Sequence, residues 1–212
     1  MSSKIYQFYQ ELYRKHGEGA KFWPQWCAKK KNKKLKDLVV LGAILTQRTS
    51  WHNAEIALNN LKKENLFSLE AIAKLDSLDK LTQLVRPAGF FQTKPKRLYN
   101  LANFIVKKYG NLNNFAHENL KTAREKLLFL KGIGPETADT ILLYALNKPT
   151  FVIDEYTKRW VAKNKLAEVL TYDFLQKLFE KNLPKDTLIY QNFHILIIVE
   201  QKGEKESLME IV

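Results

Sequence analysis

Two apolar helical runs joined by a glycine hairpin constrain this chain more than any other feature. They occupy Leu127 to Leu146, reading Leu-Leu-Phe-Leu-Lys-Gly-Ile-Gly-Pro-Glu-Thr-Ala-Asp-Thr-Ile-Leu-Leu-Tyr-Ala-Leu. The first run is expected to end at Leu130, and Pro135 opens the second, since its fixed φ suits a first helical turn. Gly132 and Gly134 tolerate φ > 0 and carry no Cβ to block a close approach. Such a hairpin can present backbone N–H groups, beside a helix N-terminus, to a phosphate. Ile133 would anchor its tip in the core. An ordinary helix–helix turn also uses Gly-x-Gly, so these residues alone leave both readings open.

The remainder is helical by pattern. Apolar residues recur at helical spacing through Leu38, Leu41, Ile44 and Leu45, through Ile56, Leu58 and Leu61, and through Leu98, Leu101, Ile105 and Tyr109. Ser68, Asn119 and Thr171 are placed to cap helix N-termini, and Pro95, Pro135 and Pro184 to open helices. Gly89 and Gly110 punctuate turns. Thr150-Phe-Val-Ile153 is rich in strand formers but short and preceded by Pro149, so it reads as an extended connection between helices. The expected fold class is all-α.

With 35 Lys+Arg against 22 Asp+Glu, the formal charge is +13. That surplus suits a polyanion, whose counterions are released on binding; solubility or an anionic membrane surface are the alternatives. The dense run Lys29, Lys30, Lys31, Lys33, Lys34 and Lys36 is either a solvated linker or a set of phosphate contacts. No apolar run reaches the ~18 residues of a membrane span, and Met1-Ser-Ser-Lys-Ile-Tyr lacks a signal peptide's apolar core. A cytoplasmic location follows, nucleoid-associated in a prokaryote. The single cysteine, Cys27, excludes an intrachain disulfide and a four-cysteine cluster. The four histidines, His16, His52, His117 and His194, are dispersed, which leaves no protein-built metal site.

The longer string Leu-x-Gly-Ile-Gly-x-x-Thr-Ala, residues 130 to 138, resembles the helix-hairpin-helix element of the HhH-GPD DNA glycosylases, the endonuclease III superfamily. Asp154 follows Glu136 by eighteen positions within Val152-Ile-Asp-Glu-Tyr-Thr-Lys-Arg159, similar to the family's motif around its essential aspartate. The resemblance makes Asp154 the catalytic carboxylate. Read alone, Asp154 is an N-cap for a helix over Thr157 to Lys163, and the roles are compatible, because a helix N-terminus favours the ionised form. Leu41-Gly-Ala-Ile-Leu-Thr-Gln-Arg-Thr49 resembles the family's helix ending in a glutamine that enters the DNA stack. Gln47 would take that place; its alternative is a polar helix-end residue. Arg86-Pro-Ala-Gly-Phe-Phe-Gln-Thr-Lys-Pro-Lys-Arg97 is similar to the glycine–aromatic loop, with Arg86 or Pro87 as a second wedge. Lys131, Gly132, Ile133, Gly134 and Thr137 would contact DNA at the hairpin. The carbonyls of Leu128, Leu130 and Ile133 would hold a monovalent cation, Na+ or K+, as the only cofactor.

Glu136 stands where strand-cleaving relatives carry a lysine that forms a Schiff base. A carboxylate forms no imine, so the resemblance implies a monofunctional enzyme without lyase activity. Glu136 either touches the base or caps the first turn of its helix, the cap being favoured. The segment Lys21-Phe-Trp-Pro-Gln-Trp26, together with Trp51, resembles the aromatic pocket of the 3-methyladenine branch that lacks an iron–sulfur cluster. Phe22, Trp23 and Pro24 would face Trp51 across the base, with Trp26 in pocket or core. Aromatic faces attract cationic bases and stack on extruded ones. A role in the core is the alternative for each aromatic, and the favoured one for His194. Tyr190-Gln-Asn-Phe-His-Ile-Leu-Ile-Ile-Val-Glu200 resembles the family's last helix, and nothing after Glu200 aligns.

The resemblance implies two lobes: a six-helix lobe at 35–148 and a discontinuous one, 1–34 plus 149–212, that carries Asp154. The implied partner is double-stranded DNA with a damaged base, bound by a monomer. The expected activity is release of alkylated purines in base excision repair. A mismatch thymine or uracil glycosylase, an endonuclease III-like enzyme and a non-catalytic DNA-binding module are the competing readings.

Overall fold

Helices account for all regular structure in the computed structural model, which describes residues 3–27 and 30–207; no strand occurs among them. Lys29 of the lysine run lies outside the described residues. In chain order the helices are α1 (Lys4–His16), α2 (Pro24–Cys27), α3 (Lys33–Leu45), α4 (Trp51–Lys63), α5 (Leu69–Ala73), α6 (Asp79–Val85), α7 (Lys94–Tyr109), α8 (Leu112–Phe115), α9 (Leu120–Leu128), α10 (Pro135–Thr140), α11 (Glu155–Lys163), α12 (Tyr172–Asn182), α13 (Thr187–Lys202) and α14 (Glu204–Ser207).

The chain divides into two compact units, Lys30–Ile141 and, discontinuously, Met1–Lys29 with Leu142–Ile211. These boundaries precede the expected 35 and 148. The second differs because the helix opened by Pro135 passes from α10 into a π-helical turn, Ile141–Ala145. That turn sends Tyr144 and the Leu143 carbonyl to α13. Among its described residues the contiguous unit holds eight α-helices and one 3-10 turn, where six helices are expected. Of these, α5 and α8 are short pieces of five and four residues.

In the contiguous unit, α3 buries Leu38, Leu41, Ile44 and Leu45, and α7 buries Leu98, Leu101 and Ile105. Ile56 departs from its expected stripe: it is 38% exposed, because it lies about 200° around the helix from the buried Leu58. Ser68 and Asn119 cap α5 and α9 by accepting the amides of Ala71 and Thr122. Thr171 occupies the cap position of α12 without a side-chain bond. Pro184 opens no helix, since α13 begins at Thr187 under the cap of Asp186.

In the discontinuous unit, α13 is buried nearly all round from Tyr190 to Val199, as an apolar helix without a polar face must be. Phe151 and Phe179 stack on each other and pack against Phe193 of this helix. Each such fully buried ring contributes roughly 1.5–3 kcal/mol. Thr150–Ile153 is the extended connection expected, and it is buried. Its backbone is satisfied by side chains of α12: Glu180 Oε1 accepts the Phe151 amide at 2.9 Å, and Gln176 Nε2 donates to the Phe151 carbonyl at 2.7 Å.

Candidate functional site

The buried segment Phe151–Ile153 delivers Asp154 to the start of α11. Asp154 Oδ1 accepts the Thr157 amide at 2.7 Å and the Thr157 hydroxyl at 2.8 Å. This is N-capping, and it turns the other oxygen away from the helix. Asp154 Oδ2 lies 3.5 Å from His194 Nε2 on α13, and the aspartate side chain keeps 14% exposure. Burial works to raise its pKa, but His194 and the two Thr157 bonds outweigh burial and hold it below the ordinary carboxylate value. An ionised carboxylate with one bound and one less engaged oxygen can stabilise a developing cation or take a proton from water.

Aromatic rings surround His194. Its Nδ1 is 2.8 Å from the Tyr144 hydroxyl. Trp23 meets the imidazole edge-on at 5.9 Å, and Trp23 and Tyr144 both pack against Trp26. Of the residues expected to line a base pocket, Trp23 therefore shares a cluster with the Asp154 neighbour. Its Nε1 donates to the Ser207 carbonyl at 3.0 Å. Phe22 is buried at 2% exposure with the Lys21 ammonium over its ring, whereas Pro24 is exposed at the start of α2. Trp51 opens α4 in the other unit, with Ser50 as cap.

The hairpin belongs to the contiguous unit. Helix α9 stops at Leu128, two residues earlier than expected, and the Leu130 carbonyl closes the turn by accepting the Ile133 amide at 3.0 Å. Ile133 is buried and Lys131 is exposed. Gly132 has φ +90°, and a Cβ there would collide with Arg97. Gly134 caps α10 in extended backbone, and a Cβ there would meet nothing within 4 Å. The amides of the first turn of α10 have no intrahelical acceptor, so this end presents donors and the positive end of a dipole. Glu136 lies exposed in that first turn.

Gln47 is tied to the hairpin. Its Nε2 donates to the Gly132 carbonyl at 3.1 Å and to the Thr137 hydroxyl at 2.8 Å, while Arg97 donates to its Oε1. Arg86 is exposed, with its guanidinium over the Phe91 ring. The lysine run is no free linker: Lys33 pairs with Asp37 at 2.9 Å and Glu70 at 2.6 Å, and Lys36 donates to Asn113 at 2.6 Å.

Sequence reasoning missed two groups beside Asp154. His194 is buried as expected of a core residue, but it also faces Asp154, and the Phe-His pair within the last-helix match was the usable signal for that role. Tyr144 carried no signal, being one more large residue in an apolar run. The C-terminal segment is also engaged: His16 Nε2 and Nδ1 meet Glu200 at 2.7 Å and Glu204 at 3.0 Å.

Comparison with known proteins adds three findings. The family model described as "HhH-GPD superfamily base excision DNA repair protein" matches residues 41–185. A Methanocaldococcus jannaschii protein named "Putative DNA repair glycosylase MJ1434" is 45% identical over 92% of this chain and 85% of its own, and the Thermotoga maritima endonuclease III is 27% identical over 70% of this chain and 65% of its own. The solved structure of the H. pylori 3-methyladenine DNA glycosylase (MagIII) bound to 1,N6-ethenoadenine superposes with a TM-score of 0.81 at 30% identity, covering 99% of this chain and 100% of that one.

Proposed function

Because the chain belongs to the HhH-GPD superfamily of base excision DNA repair proteins, we propose that it is a monofunctional glycosylase releasing alkylated purines such as 3-methyladenine from duplex DNA. DNA glycosylase activity in base excision repair, and with it DNA as the partner, follows from the family. Substrate and monofunctional chemistry are the finer reading. The observation that carries it is the Asp154 carboxylate, capped by Thr157 on one oxygen and facing on the other the His194 ring against which Trp23 packs.

In this mechanism the damaged nucleotide is extruded from the stack. The C1′–N bond breaks with its electron pair passing to the base. An alkylated purine is already cationic, so it leaves neutral without an acid. Asp154 stabilises the oxocarbenium-like sugar. Water adds to C1′ and gives its proton to Asp154, leaving an abasic site. Glu136 at the hairpin has no amine to trap the sugar, which separates this reading from strand cleavage. Trp23, packed against the His194 ring that faces the carboxylate, is an aromatic group suited to a cationic base. The similarity to the H. pylori enzyme supports the same substrate class. Gly132, Gly134, Lys131 and Thr137 would engage a phosphate, with Arg86 and Gln47 on the same unit. The Leu128, Leu130 and Ile133 carbonyls are hard donors suited to Na+ or K+; the Leu130 oxygen keeps a lone pair beyond the Ile133 bond.

Mass identification of bases released from alkylated duplex DNA tests the reading. Free 3-methyladenine is expected, with at least a 100-fold loss in Asp154→Asn, the order of removing a general base. Borohydride should trap no covalent complex. Uracil or thymine release without methyladenine, or a trapped complex, overturns it.

A further inference from the structure

His194 is a buried group that the reaction above leaves unused. It is 4% exposed, and its Nε2 has no hydrogen-bond partner. That nitrogen faces Asp154 Oδ2 at 3.5 Å, and Nδ1 is 2.8 Å from the Tyr144 hydroxyl. The three residues come from separate elements: the cap of α11, the middle of α13 and the π-helical turn after α10. Wider π turns shift side-chain register and are common at functional sites. The carbonyls this one frees are recaptured, Leu143's by Gln191 Nε2 at 3.0 Å and Leu142's by the Lys148 amide at 2.8 Å. Tyr144 is thereby aimed at His194 with both of those carbonyls satisfied.

We propose that Tyr144 and His194 form a positioning relay for Asp154, in which Tyr144 fixes the imidazole so that Nε2–H faces the carboxylate. This rests on the reading of Asp154 as the catalytic carboxylate. The tautomer follows from counting protons. The Tyr144 hydroxyl has one hydrogen and two acceptors in reach, His194 Nδ1 at 2.8 Å and the Gln191 carbonyl at 3.4 Å. If it donates to Nδ1, the neutral ring carries its proton on Nε2. If it donates to Gln191, Nδ1 must be the donor toward the tyrosine oxygen; an imidazolium then protonates Nε2 as well. The neutral tautomer with a bare Nε2 would set a lone pair against a carboxylate, which repels. Both favourable states place N–H toward Asp154, and the imidazolium adds charge. Trp23 and Trp26 present ring edges, and Cys27 faces Tyr144 from α2. Burial holds the Tyr144 phenol protonated, far above its ordinary pKa, so it stays a donor throughout the working range.

The test is the pH profile of single-turnover base release. An opposite charge or donor at this range lowers a carboxylate pKa by about one unit or more. His194→Leu is therefore expected to move the acid limb up by about one pH unit and to lower kcat with little change in KM. His194→Gln keeps an N–H donor and should recover part of the shift, and Tyr144→Phe should move the limb the same way by less. A loss at every pH with an unmoved limb means a structural role and overturns the proposal. The 15N NMR shifts of His194 in the wild type need no folded His194 variant: they should show Nε2 protonated, and a bare Nε2 overturns the relay. If Asp154→Asn still releases base at the wild-type rate, the underlying reading fails with it; if Asp154→Asn is inactive and Nε2 of His194 is bare, only the relay fails.

Discussion

At residue scale, local chemistry decides which charges can be kept inside. Lys94 is fully buried, yet its ammonium donates to the Leu45 and Ala88 carbonyls at 2.7 Å each. Those carbonyls end α3 and the turn before Gly89, so one side chain pins both segments that the resemblance assigns to DNA wedges. Burial, with the Arg97 charge adding, pushes the Lys94 pKa down to about 8. A folded pKa below the unfolded one means that the unfolded chain holds the proton more tightly. This group's contribution to stability therefore rises with pH between about 8 and about 10, by at most about 1.4 kcal/mol per unit. Above that window Tyr190, raised to about 12 by burial, acts oppositely. Denaturant unfolding of wild type against Lys94→Met should show the gap widening from pH 8 to pH 10. At neutral pH the variant should lose about 2 kcal/mol, since two buried carbonyls lose their donor. Equal pH slopes would show that Lys94 is not strained. Asp154 and Glu136 were legible at this scale, because a cap and a missing amine are properties of type and position. His194 was not: its role depends on which nitrogen faces which partner.

At element scale, the hairpin's two helices are joined by more than glycine. Arg124 on α9 grips Asp139 on α10 through two bonds, Nε to Oδ1 at 2.8 Å and Nη2 to Oδ2 at 3.0 Å. Asp139 is fully buried. A bidentate pair of this kind fixes the angle between the helices. Arg124→Met leaves a buried carboxylate without its guanidinium, and unfolding stability should fall by about 3–5 kcal/mol. The Arg124→Met/Asp139→Leu double variant should recover most of that loss; if it does not, the pair is not the cause. Hairpin position, the Pro135 start and the caps at Ser68 and Asn119 could be read from residue order, because glycine, proline and capping side chains act within a few residues. Pro184 misled because a proline fits a turn as well as a first helical turn, and Asp186 two residues later is the better cap. The π turn had no sequence signal, since its frayed hydrogen bonds are paid for by Gln191, forty-eight positions from Leu143.

At the scale of the whole molecule, a formal charge of +13 must appear as salt dependence if DNA is bound. Neutralising about five phosphates gives a slope of roughly −4.5 in log K against log salt. Fluorescence anisotropy of duplex binding should find it, and a slope near zero would exclude an electrostatic footprint. Lys33→Ala should leave the slope nearly unchanged and lower stability instead, since Lys33 is committed to Asp37 and Glu70. A one-unit drop in slope would return that lysine to the DNA face.

Residue order by itself determined the all-helical class, the hairpin, the aspartate with its cap and the glutamate in place of a lysine. Those features depend on neighbours a few positions apart or on a fixed interval along the chain. Only the tertiary structure decided that Gln47 is held by Gly132, Thr137 and Arg97, that the lysine run is partly spent on internal pairs, and that Tyr144 and His194 stand behind Asp154. Each of those joins side chains distant in sequence, and their partners are chosen by distance and desolvation, which exist only once the helices have packed.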